Sequence, residues 1–135
     1  MNDEAPIDYM KLDQARRELG TDFARILGYY EEDGFKSITA IEAAVRARDA
    51  VALVRPAHTL KGESLQFGAQ ALGLAAERIE KAARDAVEDH IFPSEALESV
   101  VQLRPLFAET LALLKRAPAP VVPVRRVAGF GRKLA

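Results

Sequence analysis

The chain predicts an all-α protein: an antiparallel up-down-up-down four-helix bundle with a short N-terminal covering helix and a basic C-terminal tail. Two observations carry this. Apolar residues recur at spacings of three and four along four long stretches, which is the pattern of helices with one buried face. The connections between those stretches are short and marked by Gly, Asp or Pro, which favours antiparallel neighbours. At 135 residues and 49% hydrophobic content, the chain has enough apolar material for one core.

Residues 1–6 read as a flexible lead. Ile7, Met10, Leu12, Ala15 and Leu19 then predict a short amphipathic helix that stops at Gly20 and covers one end of the bundle. Thr21 and Asp22 offer N-caps for a long helix to about Arg48, with Phe23, Ile26, Leu27, Tyr30, Ile38, Ile41 and Val45 facing inward. Gly34 marks a bend or a one-residue break in it. Asp49 ends that element and is placed to cap the next, which should start near Ala50, kink at Pro56 and end around Phe67 and Gly68. A third long helix is expected from Ala69 to about Ala86, with Leu72, Ala76, Ile79 and Ala83 inside and Glu77, Glu80, Lys81 and Arg84 as one outward polar stripe. Residues 87–93 read as a loop, with His90 a surface residue of it. Ser94 and Glu95 start the last helix, to about Arg116. Its apolar positions are Leu97, Val100, Val101, Leu103, Phe107, Leu111 and Leu114, with a kink from Pro105 near Val101 or Gln102. Residues 1–116 thus form one domain, and 117–135 a Pro-, Val- and Arg-rich tail whose composition is that of a flexible segment.

Charge is divided unevenly. Six of the 19 basic residues and none of the 20 acidic ones lie from Lys115 onward, so residues 1–114 carry 13 basic and 20 acidic side chains, a net of −7. A segment from Lys115 onward with six charges and one aromatic is a poor nucleic-acid ligand, and nucleic acid is not an expected partner. No cysteine is present, which removes disulfides and thiolate metal sites. No apolar run approaches the ~20 residues of a membrane span, and Asp3 and Glu4 stand where a secretory signal would be basic. The expectation is a cytoplasmic monomer that meets no membrane.

The informative stretch is Pro56 to Gly68. At about 100° per residue, Leu53, Leu60, Ser64 and Phe67 fall roughly 180–240° from His58 and form the buried side. His58 therefore faces outward, with Lys61 about 60° to one side, Gly62 about 40° to the other and Leu65 almost in line two turns on. Gly62 costs such a helix about 1 kcal/mol relative to alanine, which points to clearance for something large. An exposed imidazole, whose ordinary pKa is near 6.5, is mostly neutral at neutral pH and is a nucleophile without a general base. Lys61 is either one more solvated charge or a clamp for phosphoryl oxygens. A metal site does not suit His58, since positions i+3 and i+4 hold Lys61 and Gly62 and bundle metal sites point inward. There is also no Gly-rich nucleotide loop or P-loop lysine motif.

The string Ala57-His58-Thr59-Leu60-Lys61-Gly62, with Gly68 following, resembles the signature of histidine-containing phosphotransfer (HPt) domains of bacterial two-component relays, over roughly residues 7–116. The resemblance implies that His58 carries the phosphoryl group, Lys61 supports it and Gly62 lets a response-regulator receiver approach. It also implies that the helix after the histidine brings polar side chains beside the imidazole, with Glu80 and Arg84 the candidates. Glu63 departs from the small residue that many members have there; with Arg55, Leu65 and Gln66 it is expected to tune partner choice. The implied function is a phosphocarrier, not a kinase. It accepts a phosphoryl group on His58 from a receiver aspartate and passes it to another response regulator, with a histidine kinase or hybrid kinase upstream. It needs no cofactor of its own, the receiver supplying Mg²⁺. The alternative is a module that docks receivers without taking phosphate.

Overall fold

The computed structural model describes residues 5–116; the expected tail at 117–135 and the first four residues of the lead lie outside the described residues. Five α-helices follow one another: α1 (Tyr9–Leu19), α2 (Phe23–Arg46), α3 (Ala50–Gln66), α4 (Gln70–Asp89) and α5 (Leu97–Lys115). Single 3₁₀ turns at Gly20–Asp22 and Ser94–Ala96 lead into α2 and α5. Helices α2 to α5 form an antiparallel four-helix bundle in which α3 packs on α2 and α4, α5 closes the bundle against α2 and α4, and α1 lies against α2 and α3. The core is aliphatic, built on Leu27, Ile38, Ile41, Leu53, Leu60, Leu72, Ile79 and Leu103.

Caps and turns follow the sequence closely. Asp49 Oδ1 accepts from the Ala52 N–H at 3.1 Å, so α3 starts at Ala50, and Asp8 caps α1 in the same way through the Lys11 N–H. Gly68 ends α3 with φ +77°, and the Ala69 N–H reaches back to the Ser64 carbonyl at 2.9 Å, the bond that characterises a left-handed helix stop. A Cβ at Gly68 would meet the Asp8 carbonyl at 2.5 Å; that carbonyl lies close because the Asp8 N–H is bonded to the Gly68 oxygen at 2.7 Å. The glycine thus serves both the turn and the seating of α1.

Several expectations need correction. Gly34 does not break α2, which is continuous. It is buried, and a Cβ there would stand 2.6 Å from the Phe107 ring, so the glycine lets α5 come close. The continuous helices expected through Pro56 and Pro105 are present, each proline lying inside its helix. Helix α4 runs to Asp89, so residues 87–89 are helical, and His90 takes the left-handed position (φ 60°) that ends it. Asp22 makes no side-chain cap: its backbone is already helical, not extended as in Asp49, and its carboxylate pairs with Arg25 at 3.1 Å. Met10, Leu97 and Val101 are exposed; the buried rows run through Leu12 and Ala15 in α1 and through Ala96, Val100 and Leu103 leading into and along α5.

Candidate functional site

The site is built from one turn of α3 and one of α4. Leu53, Ala57, Leu60 and Ser64 are buried and fix the rotation of α3, with Ser64 held by the Tyr30 hydroxyl at 2.7 Å across to α2. That rotation turns His58 outward, its side chain 61% exposed. Antiparallel packing of α4 keeps one register along the seam: Leu65 lies on Gly73, His58 meets Glu80, and Val54 and Val51 share a groove with Arg84 and Val87.

Glu80 is the hub. Its side chain is only 7% exposed, which corrects the outward stripe: Glu77, Lys81 and Arg84 face solvent, whereas Glu80 turns into the α3–α4 seam. His58 Nδ1 stands 2.9 Å from Glu80 Oε2, and Arg84 donates to the same oxygen through Nε and a terminal nitrogen at 3.0 and 2.8 Å. Lys61 Nζ is 2.9 Å from the buried Oε1, a charge pair whose alignment falls short of a formed hydrogen bond. Burial alone would push the Glu80 carboxyl up, but the approach of Lys61, Arg84 and His58 outweighs it and holds the group down at about 2. Glu80 is therefore ionised at neutral pH.

The charge of Glu80 decides the tautomer of its neighbour. An ionised carboxylate can only accept, so in the neutral ring Nδ1 carries the proton and donates it to Glu80. The lone pair is then on Nε2, the ring atom that no side chain among the described residues engages. Three cationic or proton-donating groups converge on one buried carboxylate, and the nitrogen left over is nucleophilic and open to solvent.

The remaining expected residues fall into two groups. Gly62 is exposed, and a Cβ built there meets nothing within 4 Å, so space beside His58 is open. Arg55 and Gln66 are exposed, Arg55 on the Val54 side of His58 and Gln66 two turns beyond it. Leu65 is less bare than the helical wheel suggests: 39% exposed, it packs across Gly73, where a Cβ would stand 2.5 Å from its Cδ2. Glu63 is half-buried on the α2 side. Burial raises its carboxyl above the usual range, and Asp33 of α2, by charge and by hydrogen bond, raises it further. Asp33 is not legible as a neighbour of this site from sequence, since only the packing of α2 on α3 joins the two. Gly73 has a faint signal, as a glycine in an alanine-rich helix.

The family model for the Hpt domain matches residues 25–117. Among solved structures, the chain is similar to histidine-containing phosphotransfer protein B (HptB) from Pseudomonas aeruginosa PAO1, at 25% identity and a TM-score of 0.73, covering 82% of this chain and 91% of that one. No curated protein sequence matches it significantly. With a family match spanning most of its length and the antiparallel helical bundle it implies, the chain belongs to the Hpt domain family of two-component phosphotransfer proteins.

Proposed function

We propose that His58 is the phosphoacceptor of a multistep phosphorelay, taking a phosphoryl group from the aspartate of one receiver domain and giving it to another. The observation that carries this reading is the pairing of an exposed Nε2 with an Nδ1 anchored on buried, ionised Glu80. In the forward step the Nε2 lone pair forms an N–P bond while the aspartyl P–O bond breaks and the carboxylate leaves with the electron pair. No proton needs to move, because the Nδ1 proton stays on its bond to Glu80. The ring gains positive character as the N–P bond forms, and the adjacent carboxylate stabilises it. Reversal delivers the group to the next aspartate.

Lys61 and Arg84 flank the ring as Glu80's partners and supply positive charge where the phosphoryl oxygens arrive; charge pairs at about 4 Å are worth on the order of 1 kcal/mol in water and more when shielded. Gly62 gives the receiver its path to Nε2, and Arg55, Glu63, Leu65 and Gln66 border that path. The Mg²⁺ that phosphoryl transfer requires is assigned to the receiver. Among the described residues no helix is long and apolar enough to cross a membrane.

The test is incubation with a radiolabelled phospho-receiver. Label on the wild-type protein that is lost in acid and survives base, and no label on His58→Gln, is the expected result. Stable receiver binding with no transferred label would instead identify a docking module.

A further inference from the structure

North of His58 along α3, the bundle surface changes character. Val51, Val54 and Val87 form an apolar groove across the α3–α4 seam, bordered by Arg55, Arg84 and, at the end away from His58, Glu88. Val51 is 68% exposed and Val87 is also exposed, and with Val54 they are grouped in one groove instead of standing singly. Val51 lies two turns before His58, about 10 Å along the helix and almost on the same line. The groove is continuous with the phosphoryl site, because Arg84 both rims it and binds the Glu80 oxygen that holds His58. Arg55 forms no ion pair among the described residues, so its charge is available.

We infer that this α3–α4 groove is a docking anchor for the phosphoryl-exchanging partner, seating an apolar side chain next to carboxylates. The inference rests on the phosphorelay reading above and adds to it a contact surface on the flank of His58 away from Leu65. Charge complementarity selects the occupant. An aspartyl phosphate that exchanges with His58 arrives among the carboxylates that hold its metal ion, so the partner's rim is acidic where Arg55 and Arg84 are basic. The valines give that rim an apolar foothold, and desolvating it shields the arginines from water. Val51 and Leu65 then bracket the acceptor nitrogen, one about two turns to each side.

The double variant Val51→Glu with Val87→Glu tests the groove without touching the ring. Two phosphoryl donors are compared: the phospho-receiver that labels the wild-type protein, and phosphoramidate, a small molecule that needs no docking surface. The expected result is unchanged labelling by phosphoramidate and an unchanged kcat with the receiver, with a KM raised about ten-fold, as for loss of an interface anchor. Arg55→Glu raises KM in the same direction, and its effect shrinks with added salt. An unchanged KM in the double variant overturns the groove and leaves the phosphorelay reading standing, as does an equal loss with both donors, which would place the effect on the ring. If phosphoramidate labels the wild-type protein and no phospho-receiver does, the phosphorelay reading fails and the groove inference falls with it.

Discussion

The imidazole of His58 stands largely in water, yet its Nδ1 is tied at 2.9 Å to Glu80, a carboxylate that is almost fully buried. An exposed histidine would otherwise sample several rotamers and both tautomers. Here a buried anion, itself held by Lys61 and Arg84, selects one of each. Nε2 is thereby oriented from below by a buried group, which leaves its outer side open.

Glu80→Gln should expose this arrangement in the acid stability of the protein. The folded carboxyl titrates at about 2 against an ordinary 4.5, so its contribution is present above 4.5 and is lost as pH falls towards 2. The variant should be less stable at neutral pH by about 1–3 kcal/mol, since Lys61 and Arg84 lose their anion. Its stability should also fall less steeply than wild type between those two values. Urea titrations across that range would show it; parallel pH profiles would mean that Glu80 is not the buried anion described.

Lys61→Ala is expected to slow phosphoryl transfer and also to cost about 1 kcal/mol of stability, because the lysine is mostly covered and faces a buried charge. The nearby Lys81 makes the control. It pairs with Asp85 at 3.4 Å with both side chains exposed, and Lys81→Ala should change stability by less than about 0.5 kcal/mol. Equal effects of the two substitutions on the melting temperature would contradict the assignment of Lys61 to the site.

Two interior helix glycines should respond to alanine with opposite signs. At Gly62 a Cβ has open space, so Gly62→Ala should stabilise α3 by up to about 1 kcal/mol. At Gly34 the same methyl would stand 2.6 Å from the Phe107 ring, and Gly34→Ala should destabilise by about 1–3 kcal/mol despite the better helix propensity. Gly62→Gln should fold as well as wild type and accept phosphate poorly from a receiver, since the longer side chain stands in the path to Nε2. Melting curves and receiver labelling of the three variants decide the matter; a loss of stability in Gly62→Ala would show that the position is not open.

Those glycines also mark how far the sequence could be read. Helical periodicity was sufficient for the bundle and for the outward aim of His58, because the buried row of Leu53, Leu60 and Phe67 is a local property of one helix. Periodicity could not say why Gly34 is a glycine, since the Phe107 ring that crowds it lies on α5, far along the chain. The same limit applies to Glu80. Its place in a polar i, i+3, i+4 row suggests solvent, and only the seam with α3 reveals it as buried and anionic. Asp33 beside Glu63 likewise depends on how α2 is rotated against α3. What lay within one helix was legible from periodicity; what two helices make together was not, and the placing of Glu80 and Arg84 beside the imidazole came only from the family resemblance.

Glu63→Gln should stabilise the protein at neutral and higher pH. Burial raises the Glu63 carboxyl, Asp33 raises it further, and its buried Oε1 has no hydrogen-bond partner among the described residues. A group whose folded pKa is raised contributes stability that is present below its unfolded value and is lost as pH rises through the folded one. At neutral pH the ionised side chain therefore works against folding, and a neutral glutamine of the same shape removes that opposition. The gain should stay under about 1 kcal/mol, or a few degrees in Tm, because the pair is partly in water. It should fade at pH 4, where Glu63 is protonated, and Asp33→Asn should give a similar gain at neutral pH. Melting curves at pH 4 and 7.5 are the measurement; a Tm lowered at pH 7.5 by either substitution would mean that the two carboxylates are not in conflict.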